Sequence, residues 1–172
     1  WFHEIVPLDI VTSEKQLNTI LGAIGCDAMK TGMLGSADLV ELVARTIDKY
    51  ELKNVVIDPV MVCKGIDAIM VPEAAAAIKE LLIKRADLMT PNLLEAAYLS
   101  DMEAIKNIDD MKQAASIIVE RGAKYVAMKA GDRFGGDKAI DLLYDGKDFK
   151  IFESSLIKDA YNHGAGCTFS AS

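Results

Sequence analysis

Three times along this chain, segments with helical apolar spacing lead into a short apolar run that breaks at a proline or glycine, and this rhythm restricts the fold more than any other feature. In residues 36–50, Leu39, Leu42, Val43, Ile47 and Tyr50 recur at helical spacing behind Ser36, a natural N-cap. Val55, Val56 and Ile57 then form a β-branched run that stops at Asp58-Pro59. Pro72 opens the helical stretch PEAAAAIKELLIKR, which is followed by the strand and break ADLMTPN. NLLEAAYLS and DDMKQAASIIVERG read as helices, the second closed by Gly122, and KYVAMKAGD follows as a strand ending in a glycine turn. AIDLLYDGKDFKIFES departs from the rhythm, because two alternating segments flank Asp145-Gly146, a strong hairpin signal. The expected architecture is α/β: a largely parallel sheet with helices on its faces and an antiparallel addition near one edge.

No repeat, low-complexity stretch or polar linker divides residues 1–172, so a single domain is expected. The 51% of hydrophobic residues is enough for a sizeable core. The chain opens on Trp1, and its last motif stops where a helix should start, so both ends of a longer protein are expected to be missing. No run of about 18 apolar residues marks a membrane span. The net charge of -7, with no block of Lys and Arg, lacks the electrostatic footprint of a nucleic-acid groove. Cys26, Cys63 and Cys167 are odd in number and widely spaced, which suits a reducing cytoplasm better than a disulfide framework or a zinc site.

Ligands of such sheets bind beyond the carboxyl ends of the strands, which directs attention to Asp58, residues 90–92, residues 129–133 and the terminal YNHGAGCTFSAS. HGAGC has the composition of an anion-binding loop, whose glycines let successive N–H groups approach a charged oxygen. Asn92 and Glu95 lie three apart at a helix start: they either direct an amide and a carboxylate at one hydrated Mg²⁺ or simply cap the helix. Lys129 is either a cation for phosphate oxygens or a solvated strand-end lysine, and Asp58 either assists metal hydration or terminates its strand. Asp141 is either a nucleotide contact or an outward strand residue. Cys63, beside Lys64 and Gly65, is either a thiolate able to attack an aldehyde or an inert packed cysteine, whereas Cys26 is expected in the core. His163 precedes the glycine loop and either shapes it or touches substrate.

Taken in order, KTGML, VVIDPVMV, TPNLLEA and HGAGCTFSA resemble the ribokinase-superfamily branch that holds hydroxymethylpyrimidine phosphate kinases and the related bacterial pyridoxal kinases. The resemblance implies a three-layer ribokinase-like fold, present here as a fragment, and Mg²⁺-ATP-dependent transfer of a phosphoryl group to a hydroxymethyl on a heteroaromatic ring. It implies that Gly164, Ala165 and Gly166 form an anion hole and that Cys167 stands where most ribokinase-like proteins carry an aspartate base. An unperturbed thiol has a pKa of about 8.5, so this role requires the loop and helix N-terminus to lower it. Asn92 and Glu95 match the nucleotide and magnesium motif, with Glu95 on the metal. Lys129, Ala130, Gly131, Asp132 and Arg133 match a phosphate-contacting segment, although many relatives have Lys-Gly-Gly at its start; Asp141 and Gly166 match further nucleotide contacts. VMVCKG resembles the pyridoxal kinases, in which the lid cysteine adds to the substrate aldehyde, so Cys63 favours pyridoxal over hydroxymethylpyrimidine. A non-catalytic pyridoxal- or nucleotide-binding protein stays open beside these, as does a homodimer.

Overall fold

A computed structural model describes residues 8–62, 69–157 and 164–172. Among these residues six strands form one sheet in the order β1-β2-β3-β4-β5-β6: Met29–Thr31, Val55–Ile57, Leu88–Met89, Tyr125–Gly131, Lys138–Tyr144 and Phe149–Ser155. The first four are parallel, and β5 and β6 continue the sheet antiparallel. The helices are α1 (Ile10–Ala23), α2 (Ala37–Lys49), α3 (Pro72–Ala77), α4 (Leu93–Ser100), α5 (Ile108–Glu120) and α6 (Ala165–Ala171). Among the described residues no helix is long and apolar enough to cross a membrane.

Local chemistry sets the element boundaries. Ser36 accepts from the Leu39 N–H at 3.2 Å, and Asn107 accepts from the Asp110 N–H at 2.9 Å, each satisfying a donor in the first turn of its helix. At the hairpin the Asp145 carboxylate takes the N–H groups of Lys147 and Asp148 at 2.8 and 2.7 Å, while Tyr144 and Phe149 stack across the strands with centroids 4.1 Å apart.

The register explains where the core lies. Thr31, Ile57, Met89 and Val126 are paired neighbours across the parallel strands, and all four are buried. The core around them draws on α2 (Val40, Val43, Ile47), on Ala75 and Ile78, on α4 (Ala96, Leu99) and on α5 (Met111, Ile118). The alternate row, Lys30, Val56, Leu88 and Tyr125, is half-buried or exposed. The contrast between the two rows follows from the two-residue period of a strand, although in β4 Val126, Ala127 and Met128 are buried in succession.

Three features differ from the sequence reading. PEAAAAIKELLIKR is not one regular helix: α3 passes into a π turn at Ile78–Leu82 and a 3₁₀ turn at Ile83–Arg85. Ile78, Leu82 and Ile83 are all buried, and the wider turn keeps residues four and five apart on one side. Helix α1 has no counterpart in the apolar pattern because none of its residues is buried; Asn18 ties it to α2 by accepting from Lys49 Nζ and Tyr50 Oη at 2.9 and 2.8 Å. Cys26, expected in the core, is exposed, since it lies in the connection from this peripheral helix to the edge strand β1.

Gly122 ends α5 with φ +119°, and a Cβ there would lie 2.9 Å from Lys84 Cα and 3.0 Å from Lys84 Cβ. Gly122→Ala is therefore expected to cost roughly 2 kcal/mol or more. Gly135 has φ +75° but open space around it, so Gly135→Ala should cost less. Urea unfolding midpoints check the order, and equal losses would contradict the contact with Lys84.

Candidate active site

The carboxyl ends of β2, β3 and β4 bring together residues far apart in sequence. Lys129 donates its N–H to the Pro91 carbonyl at 2.9 Å, and Asn92 and Lys129 form a parallel bridge, which places the start of α4 beside the end of β4. A register shift between Lys129 and Gly131 breaks the regular pairing of β4 there. Lys129 is paired with Asp141 on β5, and Gly166 on α6 lies close by, where an added Cβ would be 3.5 Å from Lys129 Nζ.

These residues line one open cavity of about 910 Å³. Its wall includes Asn92, residues 129–133, Asp141, Ala165 and Gly166, which are among the positions singled out from the sequence, together with Leu94, Ile105, Lys106, Phe134 and Phe169; Glu95, Gly164 and Cys167, also singled out, are not among its lining residues. Gly164 is the N-cap of α6, in the left-handed region at φ 81°, so residues 164–167 form the entry to a helix. Cys167 lies in the first turn of that helix and is exposed. Cys63, Lys64, Gly65 and His163 lie outside the described residues.

Beneath the cavity is a buried polar floor. Asp58 Oδ1 accepts from Lys129 Nζ at 3.1 Å and from Thr90 Oγ1 at 3.2 Å, and Oδ2 accepts from Ser170 Oγ at 3.0 Å. Lys129 is thus largely buried and paired rather than solvated, and Asp58 does more than end a strand. Glu95 Oε2 accepts from the Asn92 N–H at 2.9 Å and Oε1 from the Met61 N–H at 3.2 Å. The Asn92 side chain takes the N–H groups of Leu94 and Glu95, both at 3.0 Å, completing a capping box. Burial pushes the Glu95 carboxyl up to about 7, against the lowering effect of the Asn92 and Met61 N–H groups and of Lys129; neighbouring Asp58 raises it further.

Capping is therefore present at Asn92 and Glu95, and it leaves room for the metal role. Among the described residues each Glu95 oxygen accepts one N–H bond, short of the capacity of a carboxylate oxygen, and Asp58 is near enough to act on its charge. Among the described residues no group of three or more His, Cys, Asp or Glu forms a closed cage. That donor set fits Mg²⁺, which keeps several waters and takes one or two carboxylates.

The partnerships of Thr90 and Ser170 with Asp58 were not foreseen from sequence. Nor was a second cavity of about 290 Å³ at the ends of β1 and β2, lined by Met33, Leu34, Val60, Met61, Met70 and other small or apolar groups. Its traces in the sequence are KTGML and the Val60-Met61 that follows Asp58-Pro59.

A mostly parallel sheet with an antiparallel pair at one edge and a cavity beyond its carboxyl ends defines a ribokinase-like fold. The sequence model described as phosphomethylpyrimidine kinase matches residues 1–172, and the chain belongs to that family. It is 51% identical over 171 residues to a pyridoxine kinase of Bacillus subtilis (strain 168), covering 99% of this chain and 63% of the relative. It is 41% identical to a hydroxymethylpyrimidine/phosphomethylpyrimidine kinase of the same organism, over 98% of this chain and 62% of the relative. Among solved structures, an ADP complex of Bacillus subtilis pyridoxal kinase superposes with a TM-score of 0.93 at 51% identity, over 99% of this chain and 64% of that one. The chain thus spans somewhat less than two thirds of the proteins it matches.

The raised Glu95 pKa has a pH signature. Between its ordinary 4.5 and about 7, the folded chain holds the Glu95 proton more tightly than the unfolded chain does. Its contribution to stability therefore falls as pH rises through that window, by something on the order of 3 kcal/mol in all. Glu95→Gln does not titrate, so in metal-free buffer the stability difference should move in favour of the variant from pH 4.5 to 7.5. Denaturant midpoints of both proteins check this; a constant difference would show that Glu95 titrates normally.

Proposed function

We propose that this chain is the core of an ATP-dependent kinase that phosphorylates the 5′-hydroxymethyl of pyridoxal and related B6 vitamers. The observation that carries the reading is the cavity, which unites Asn92, Lys129, residues 130–133, Asp141 and Gly166 from four separate parts of the chain. Phosphoryl transfer asks chiefly for positioning and for stabilisation of the charge on the transferred group. Lys129 and Arg133 supply cationic side chains for phosphate oxygens, with Lys106 on the same wall. The backbone N–H groups of residues 164–166, at the start of α6, form the anion hole. Cys167, in the same turn, is the base that takes the proton of the acceptor hydroxyl. Mg²⁺, held through its water shell by Glu95, would neutralise charge on the phosphates when bound. The smaller apolar cavity at Met33, Val60 and Met61 suits an aromatic ring.

Cys63 selects the acceptor in this reading, because its thiolate adds to the aldehyde of pyridoxal, a group absent from hydroxymethylpyrimidine. The relative named for hydroxymethylpyrimidine and phosphomethylpyrimidine makes those compounds the second reading. A reducing cytoplasm is the compartment that the odd number and wide spacing of the cysteines suit.

The test is a substrate panel on the full-length protein with Mg²⁺-ATP. Pyridoxal is expected to be turned over with a higher kcat/KM than hydroxymethylpyrimidine or its phosphate; the reverse order would make the second reading the correct one. Cys167→Ala is expected to lower kcat about 10²–10⁴-fold. Cys63→Ala should raise KM for pyridoxal but not for pyridoxine, which has no aldehyde. Unimpaired pyridoxal phosphorylation by both variants would overturn the mechanism.

A further inference from the structure

We infer that Ser170 is a positioning residue for phosphoryl transfer, acting through Asp58 to hold α6 and Lys129 in fixed relation; the inference rests on the kinase reading above. Ser170 is the buried residue of α6, whereas Cys167, Thr168 and Phe169 are exposed. Its Oγ lies 3.0 Å from Asp58 Oδ2 and also 3.0 Å from the carbonyl of Cys167 in its own helix. A helical serine turned only to its own backbone would have no bearing on the site. Here the Asp58 carboxylate, which is also paired with Lys129, competes with that carbonyl for the single hydroxyl proton and ties the helix to the site.

The other oxygen of the same carboxylate accepts from Lys129 Nζ and Thr90 Oγ1. One buried group therefore fixes the cation on β4 and the helix that carries Gly166 and Cys167, across 112 residues of sequence between Asp58 and Ser170. Removing the Ser170 hydroxyl frees α6 to shift against Lys129. Misplacement by about an ångström is enough to cost on the order of 100-fold in rate. Ground-state binding of the vitamer, which uses other contacts, is touched less.

The experiment compares full-length wild type, Ser170→Ala, Ser170→Thr and the pair Asp58→Asn and Asp58→Asn/Ser170→Ala, with kcat, KM for acceptor and nucleotide, and Tm measured for each. Ser170→Ala is expected to lower kcat roughly 10- to 100-fold with acceptor KM within about threefold. Ser170→Thr, which keeps the hydroxyl, should recover most of the rate, and the two losses in the double variant should fall short of multiplying. Wild-type kcat in Ser170→Ala, or fully multiplicative losses, would overturn the inference while leaving the kinase reading intact. If Ser170→Ala does not fold, Ser170→Cys keeps the volume with a weaker donor and takes its place under the same criteria. An inactive wild type on every acceptor would remove the kinase reading, and this inference with it.

Discussion

Two carboxylates taken out of water and one ammonium between them govern this structure. Asp58 and Glu95 are both buried, and Lys129 is the cation that acts on each, by direct contact with the first and through its field on the second. A buried charge is costly unless it is paired and hydrogen-bonded. Both carboxylates meet that condition, but through different partners: Asp58 through side chains, Glu95 through backbone N–H groups. The residual imbalance shows in the raised Glu95 pKa, and an incoming divalent cation would relieve it. Polar groups this deep are tolerated because they sit where the parallel strands end and their backbones part.

The same geometry explains why the cavity lies where it does. Parallel strands all point their carboxyl ends in one direction, so the residues following β2, β3 and β4 converge there. The shift between Lys129 and Gly131 ends regular pairing at that level, and the start of α4 and the first turn of α6 fill in from either side. The family relationship and the likeness to a solved pyridoxal kinase agree with this arrangement of sheet and helices.

Much of this was legible because it is local. Ser36, Asn92 and the Asp145-Gly146 turn act within a few residues, and their signals survived folding unchanged. The apolar runs at Val55–Ile57 and Tyr125–Gly131 became the strands they resembled. What was not legible depends on distant partners. Helix α1 lies on the margin with no buried face to produce a pattern, and Cys26 follows it outward. The widening of the turn at Ile78–Leu82 answers to the core it must fill. Lys129 could be read as solvated or as phosphate-facing, and only the approach of Asp58 from another strand shows that its charge is already engaged. The bond of Ser170 to the same carboxylate has no local trace at all.

Strand order and chain order coincide from β1 to β6, so each new strand pairs with the one just before it in sequence. A sheet laid out this way can grow by single additions as the polypeptide leaves the ribosome, every closure spanning only one crossover. Helix α6 is the exception: its anchor at residue 170 must find a carboxylate at residue 58. Among the described residues, joining α6 to the floor of the site therefore closes a separation of 112 residues, far longer than any closure between neighbouring strands.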